Sequence, residues 1–108
     1  MGKAPDGVAF DGADIWVANS GGNNVARLRA SDGKVLGTFA LGKAPAGVAF
    51  DGANIWVTNS SSNNVTKLRA SDGAGLGTFA VGDVPIAAAF DSANVWVASF
   101  EGGSVSKL

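Results

Sequence analysis

Short apolar runs alternate with turn-forming residues along the whole chain. The run Ile-Trp-Val-Ala at 15–18 is followed by Asn-Ser-Gly-Gly-Asn-Asn, and the run at 35–40 is preceded by Ser-Asp-Gly. Asp-Gly and Asn-rich segments supply the positive φ values that tight hairpin turns require. No window has the i, i+3, i+4, i+7 apolar spacing of an amphipathic helix. The pattern therefore predicts an all-β chain.

The pattern repeats with a period of 40 residues, since Gly-Lys-Ala-Pro at 2–5 returns at 42–45. Segments 2–41 and 42–81 agree at 30 of 40 positions, and 82–108 agrees with the second unit at 12 of 27, which excludes a chance match. Each complete unit contains four predicted strands. In the first unit these are 8–10, 15–18, 25–29 and 35–40.

Several predicted strands are apolar at consecutive positions, which indicates sheets that are buried on both faces. Small antiparallel sheets of this kind, repeated about every 40 residues, are typical of β-propeller blades. We predict a single domain spanning 1–108, with blade 1 at 2–41, blade 2 at 42–81 and a partial blade 3 at 82–108 that lacks its outermost strand. A parallel β-solenoid is the main alternative.

The repeated motif Pro-x-Gly-Val-Ala-Phe-Asp-Gly-Ala-x-Ile-Trp-Val-x-Asn-Ser-x-x-Asn-x-Val resembles the blade signature of the NHL/YVTN propellers, a group that includes the virginiamycin B lyases. The third unit follows it more loosely. The resemblance implies that the first strand of each blade lies nearest the central channel and that the fourth is outermost. Repeats this similar are typical of either recent duplication or design.

Three blades form an open arc, which leaves two apolar faces in water. A face of four strands covers roughly 300 Å², the size at which an exposed apolar patch marks an interaction site. Because the repeats are nearly equivalent, blade 1 of one chain is expected to accept blade 3 of another, head to tail, in a closed ring. Two chains would give six blades and three would give nine. The homodimer is the favoured interpretation.

Composition and charge argue against other partners and against catalysis. Eight Lys/Arg and nine Asp/Glu give a net charge of −1, so neither nucleic acid nor a membrane is an expected partner. The chain has no histidine and no cysteine, which removes the commonest acid–base group and the commonest metal ligands. We expect no catalytic residue, no metal and no cofactor. Asp11, Asp51 and Asp91 precede turns singly and are interpreted as Asx turns rather than calcium ligands.

Two sets of residues are candidates for function. The aromatic residues that recur inside apolar strands are predicted to pack blade against blade: Phe10, Trp16, Phe50, Trp56, Phe90 and Trp96. Residues that differ between repeats, in links and turns at one end of the propeller, are candidates for ligand binding at the channel mouth: Lys3, Asp6, Lys43, Asp83, Phe100 and Glu101. The cations of the third strands, such as Arg27 and Lys67, are expected on a solvated face.

The sequence thus predicts a non-catalytic, self-assembling propeller subunit that acts as a structural or binding scaffold. Two alternatives stay open. One is an enzyme like virginiamycin B lyase, although the histidine that the resemblance implies is missing. The other is a segment of a longer extracellular sensor or adhesion propeller. The sequence leaves the cellular compartment undetermined.

Overall fold

A computed structural model describes residues 4–101 and 103–108, and all regular structure in this part of the chain is β-strand. Eleven strands form three antiparallel sheets, in which strands consecutive in sequence are neighbours. Blade 1 contains β1 (Pro5–Phe10), β2 (Asp14–Asn19), β3 (Asn24–Arg29) and β4 (Val35–Ala40); blade 2 contains β5 (Pro45–Phe50), β6 (Asn54–Asn59), β7 (Asn64–Arg69) and β8 (Gly75–Ala80); blade 3 contains β9 (Pro85–Phe90), β10 (Val95–Ser99) and β11 (Ser104–Lys107). The all-β class and the three antiparallel sheets are confirmed. The described residues include no helix that would span a membrane.

The first strand of each blade begins earlier than the sequence predicted. β1 starts at Pro5 rather than at Val8; Pro5 pairs with Asn19, and the register of pairing with β2 shifts before Val8. Proline is compatible with the first residue of a strand, where the sheet does not need its N–H. Asp6, which we predicted in the link between blades, therefore lies within β1.

The blades pack face to face. We call the face that carries a blade's tryptophan its trailing face and the opposite face its leading face. The trailing face of blade 1, with Trp16 and Val25, packs on the leading face of blade 2, with Val48 and Ile55; all four side chains are at most 8% exposed. A second apolar core joins blade 2 to blade 3 in the same way. Because burying each such side chain contributes about 1.5–3 kcal/mol, these two junctions hold the three sheets together.

The first strands of the blades run along one edge of this arrangement, because β5 contacts both β1 and β9. Within each four-stranded blade the fourth strand lies at the opposite edge. Blade 2 is covered on both faces, so five of the six residues of β6 are buried. In blade 3, five of the six residues of β9 are wholly or partly exposed.

At the edge opposite the first strands, β4 extends the contact between blades 1 and 2. Phe39 stacks on Trp16 with ring centroids 5.5 Å apart. It also covers Gly73 in the β7–β8 turn so closely that a Cβ atom at Gly73 would overlap its ring. Phe79 lies against Trp56 at the same centroid distance of 5.5 Å, with the two rings tilted by 33°. No turn of blade 3 within the described residues covers Phe79, which is 37% exposed.

The variants Phe39→Ala and Phe79→Ala each remove an aromatic contact with a tryptophan, and only Phe39→Ala also removes a contact with Gly73 of the next blade. We expect Phe39→Ala to lower the free energy of unfolding by about 3 kcal/mol, as truncation of a core aromatic does, and Phe79→Ala by about 1 kcal/mol. Urea denaturation followed by circular dichroism measures both losses. Equal losses would contradict the role of Phe39 in joining blades 1 and 2.

Candidate functional site

The candidate ligand-binding residues lie where the links between blades meet the turns after the second strands. The Lys43 amide donates to Ser62 Oγ at 2.8 Å, and the Ser61 amide donates to the Lys43 carbonyl at 3.1 Å. In blade 3 the Phe100 amide donates to the Val84 carbonyl at 2.8 Å. These hydrogen bonds place the links and the turns at one end of the structure.

The described members of this set are all exposed: Asp6, Lys43, Asp83, Phe100 and Glu101. Phe100 is the most open of them, at 71% exposed. Among the ion pairs of the described residues, none involves a member of the set. Lys3 lies outside the described residues. Ligand binding by this set therefore stays a prediction.

A hydrogen-bond network that the sequence analysis missed recurs in all three blades. Asp51 Oδ2 accepts a hydrogen bond from Trp56 Nε1 at 2.7 Å, and Asp51 Oδ1 accepts from the amides of Ala53 and Asn54 at 2.9 and 2.7 Å. Lys67 Nζ lies 5.1 Å from the centroid of the same indole, which is a cation–π distance. The equivalent groups are Asp11, Trp16 and Arg27 in blade 1 and Asp91, Trp96 and Lys107 in blade 3. The Asx-turn interpretation is confirmed for all three aspartates.

This network changes the interpretation of the third-strand cations. Arg27 and Lys67 were expected on a solvated face, but each lies over a tryptophan ring. The difference arises because these cations pair directly with the tryptophan of the neighbouring strand, as Trp16 does with Arg27. The constant five-residue spacing from Asp to Trp in every unit is the sequence signal that could have revealed the network.

Hydrogen bonding holds the pKa of these carboxyl groups below its ordinary value. Burial raises the pKa of Asp51, but hydrogen bonds from the Trp56 indole and two backbone amides, with the nearby Lys67 charge, lower it more. The same balance lowers the pKa of Asp11, and backbone amides and the indole lower that of Asp91. The unfolded chain therefore holds these protons more tightly. The resulting stability is present above the ordinary pKa of 3.8 and is lost as the pH falls through the lowered value.

The variant Asp51→Asn keeps an acceptor for the turn amides and removes the charge that faces the Trp56 indole. We expect it to lower the free energy of unfolding at neutral pH by about 1–2 kcal/mol, within the range for hydrogen bonds to charged groups. The difference in unfolding free energy between wild type and variant should shrink as the pH falls below about 5, and should vanish once the pH is below the lowered pKa of the wild-type carboxyl. Chemical denaturation of both proteins at several pH values measures this difference in unfolding free energy.

Asp32→Asn is the matched control. Asp32 also accepts a turn hydrogen bond, but its side chain is 51% exposed and pairs with Arg29 at 3.0 Å on the surface. A surface pair contributes about 0–1 kcal/mol, so the control should lose less stability. If Asp51→Asn is as stable as Asp32→Asn at neutral pH, the indole hydrogen bond does not have the role assigned to it.

The trailing face of blade 3 is uncovered in the described part of the chain, and so is the part of the leading face of blade 1 that belongs to β1. Val8 is 63% exposed, whereas Val48, at the same position in blade 2, is 8% exposed. Val105 is 65% exposed, whereas Val25 and Val65, its equivalents in the other blades, are 0% exposed. Each uncovered face therefore corresponds to a face that is buried in the junctions between blades 1 and 2 and between blades 2 and 3.

The predicted packing aromatics are distributed over these covered and uncovered faces. Trp16 and Trp56 are 0% and 8% exposed within the two junctions, and Phe50 packs partly buried against the first core. Phe10, on the uncovered leading face, is 56% exposed, and Trp96, on the uncovered trailing face, is 39% exposed. Phe90, opposite Val95 on the leading face of blade 3, is 38% exposed.

An open cleft of about 680 Å³ lies between blades 1 and 2, at the end that carries the β1–β2 turn. Arg27 Nε pairs with Asp14 Oδ2 at 2.9 Å, and Arg27 Nη1 donates to the Ser71 carbonyl of blade 2 at 3.4 Å. Among the described residues, no group of three or more His, Cys, Asp or Glu side chains is placed to hold a metal ion. Arg27 thus connects Asp14 of blade 1 to the backbone of blade 2.

No protein-family model and no curated protein sequence matches the chain. Among solved structures, a hydrazine synthase from Kuenenia stuttgartiensis is similar over 89% of this chain and 29% of its own, with a TM-score of 0.82 and 26% identity. A functionally unknown protein from Desulfotomaculum acetoxidans matches over 100% of this chain and 42% of its own, with a TM-score of 0.81 and 19% identity. Virginiamycin B lyase from Staphylococcus aureus matches over 98% of this chain and 41% of its own, with a TM-score of 0.75 and 20% identity.

The chain therefore spans less than half the length of each of these three structures. The likeness to the lyase supports a propeller-like fold for the three sheets. Because one neighbour is a lyase and another has no known function, the likeness does not select an activity for this chain.

Proposed function

We propose that this chain is a non-catalytic propeller subunit that associates with copies of itself, the leading face of blade 1 covering the trailing face of blade 3 of a second copy. The observation that carries the proposal is the match between the two uncovered faces. Val8 and Val105 are each more than 60% exposed, and their equivalents in the internal junctions are at most 8% exposed. A head-to-tail contact would bury both at once.

The free energy available to such a contact is substantial. Val8, Phe10, Trp96 and Val105 are between 39% and 65% exposed, and burying each of them contributes up to about 3 kcal/mol before the cost of association. The leading face also contains a small apolar cluster with Val17 and Leu28 at its centre, already 6% and 8% exposed. Such a preformed surface lowers the cost of ordering side chains on association.

The same contact, repeated around an axis, closes a ring. Two copies would provide six blades and three would provide nine, since each chain has three. The NHL/YVTN-like signature of the repeats is consistent with this arrangement. In a closed ring the exposed links and turns would surround one mouth of the channel, where Lys43, Asp83 and Glu101 would serve a scaffold that binds ligands.

The carboxyl groups favour a structural rather than a catalytic role. Where a carboxyl pKa departs from its ordinary value in the described residues, it is lowered, as for Asp11, Asp51, Asp72 and Asp91. A general acid at neutral pH needs a raised pKa. These groups remain charged acceptors in turns, which is a stabilising role.

Two charged variants test the head-to-tail contact. Val8→Asp and Val105→Asp each place a carboxylate on one uncovered face, where the exposure of 63% and 65% allows the monomer to fold. Each variant alone should be monomeric, because every contact would bury an unpaired charge. An equimolar mixture should form a 1:1 heterodimer of twice the 10.7 kDa chain mass and stop there, because only one junction is intact. Sedimentation equilibrium measures these masses.

Ser61→Asp is the control for added charge, since Ser61 lies in an exposed turn of blade 2. It should associate as the wild type does, in a complex of two or three chains. A wild type that stays monomeric at about millimolar concentration would contradict the proposal, as would a mixture of the two charged variants that does not associate.

A further inference from the structure

The first strands of adjacent blades approach so closely that only glycine fits between them. A Cβ atom on Gly47 would lie 2.7 Å from Ala87 Cα and 2.9 Å from the Ile86 carbonyl oxygen of blade 3. A Cβ atom on Gly7 would overlap the Ala46 carbonyl oxygen of blade 2 in the same way. Because the opposing atoms belong to the backbone, a methyl group at either position would force the blades apart.

Blade 3 has alanine at this position. Ala87 is exposed and pairs with Ala98 on the trailing face of blade 3, as the repeat places Gly7 and Gly47 on the trailing faces of blades 1 and 2. In a contact with the geometry of the internal junctions, the Ala87 methyl would meet Gly7 Cα and the Asp6 carbonyl of the second copy. The first strands of two copies therefore cannot approach as closely as the first strands of neighbouring blades within the chain.

Blade 3 also differs from the other two blades in the turn between its second and third strands. Asn23 Oδ1 accepts a hydrogen bond from the Ala44 amide of the next blade at 3.0 Å, and Asn63 Oδ1 accepts from the Val84 amide at 2.9 Å. The equivalent residue of blade 3 is Gly103, which has the same positive φ but no side chain. The intermolecular junction therefore lacks this hydrogen bond as well.

From these differences we infer that Ala87 is a specificity-determining residue of the intermolecular junction: its methyl group holds the inner strands apart, so that the junction between copies is wider and weaker than those within the chain. This inference rests on the proposed self-association. A wider spacing at the inner strands reduces the angle between the two blades. The angle at the junction between copies then differs from the angles at the two internal junctions, and ring closure depends on that angle.

The test compares the self-association of wild type, Ala87→Gly and Ala89→Gly by sedimentation velocity. Ala89 is the matched control, since its equivalents Ala9 and Ala49 carry a methyl group inside the two internal junctions. We expect Ala87→Gly to lower the dissociation constant by about tenfold, in line with relief of an overpacked contact. Ala89→Gly should leave it unchanged or raise it. Ala87→Val, which keeps a good strand residue, should raise the dissociation constant.

A second measurement tests the steric premise without any self-association. Gly47→Ala places a methyl group in an internal junction, and Gly75→Ala places one where no atom lies within 4 Å of the added Cβ. We expect Gly47→Ala to lower the melting temperature by about 5 °C or more and Gly75→Ala to leave it nearly unchanged. The measurement is made on the Val8→Asp background, which keeps the protein monomeric.

The outcomes separate the two ideas. Equal dissociation constants for wild type and Ala87→Gly would overturn the role of Ala87 and leave self-association standing. Equal melting temperatures for Gly47→Ala and Gly75→Ala would also overturn it. If no variant associates, Ala87→Gly included, both the inference and the proposed function are wrong.

Discussion

Each sheet of this chain has two apolar faces, and each face requires another sheet to cover it. Blade 2 satisfies the requirement on both sides, and its Ile55, Val57 and Val65 side chains are 0% exposed. In the described part of the chain, blades 1 and 3 each pack against another sheet on one face. The contrast between Val48 and Val8, identical residues at equivalent positions, comes from this coverage alone. The fold, the stability and the proposed association all follow from the need to cover these faces.

The sequence predicted the strands well because alternation of apolar runs and turn residues is a local signal. The fourth strand of the first unit, 35–40, has the same bounds in the structure. The sequence was a poor guide to features that depend on tertiary pairing or on side-chain orientation. The extension of β1 to Pro5 depends on pairing with the end of β2. The five-residue spacing from Asp11 to Trp16 permits their hydrogen bond, but the orientation of the indole that forms it is set by the folded sheet.

The differences between blade 3 and the two nearly identical blades before it set the intermolecular junction apart from the internal ones. A repeat protein made of equivalent blades has no preferred point of closure, because every junction has the same geometry. Ala87 and Gly103 remove that equivalence at the trailing face of blade 3, the former by adding a methyl group and the latter by removing a hydrogen-bond acceptor. The close approach at Gly47 cannot be predicted from the repeat pattern, because it is a property of packed backbones.

Oxidative footprinting across a concentration series tests the account most directly. Phe10 and Trp96 lie on the two uncovered faces, whereas Phe79, which is 37% exposed, lies against Trp56 in the junction between blades 2 and 3 of the same chain. The account predicts that oxidation of Phe10 and Trp96 falls together as the protein concentration rises, while oxidation of Phe79 stays constant. Oxidation rates of Phe10 and Trp96 that do not change from micromolar to millimolar protein would contradict it.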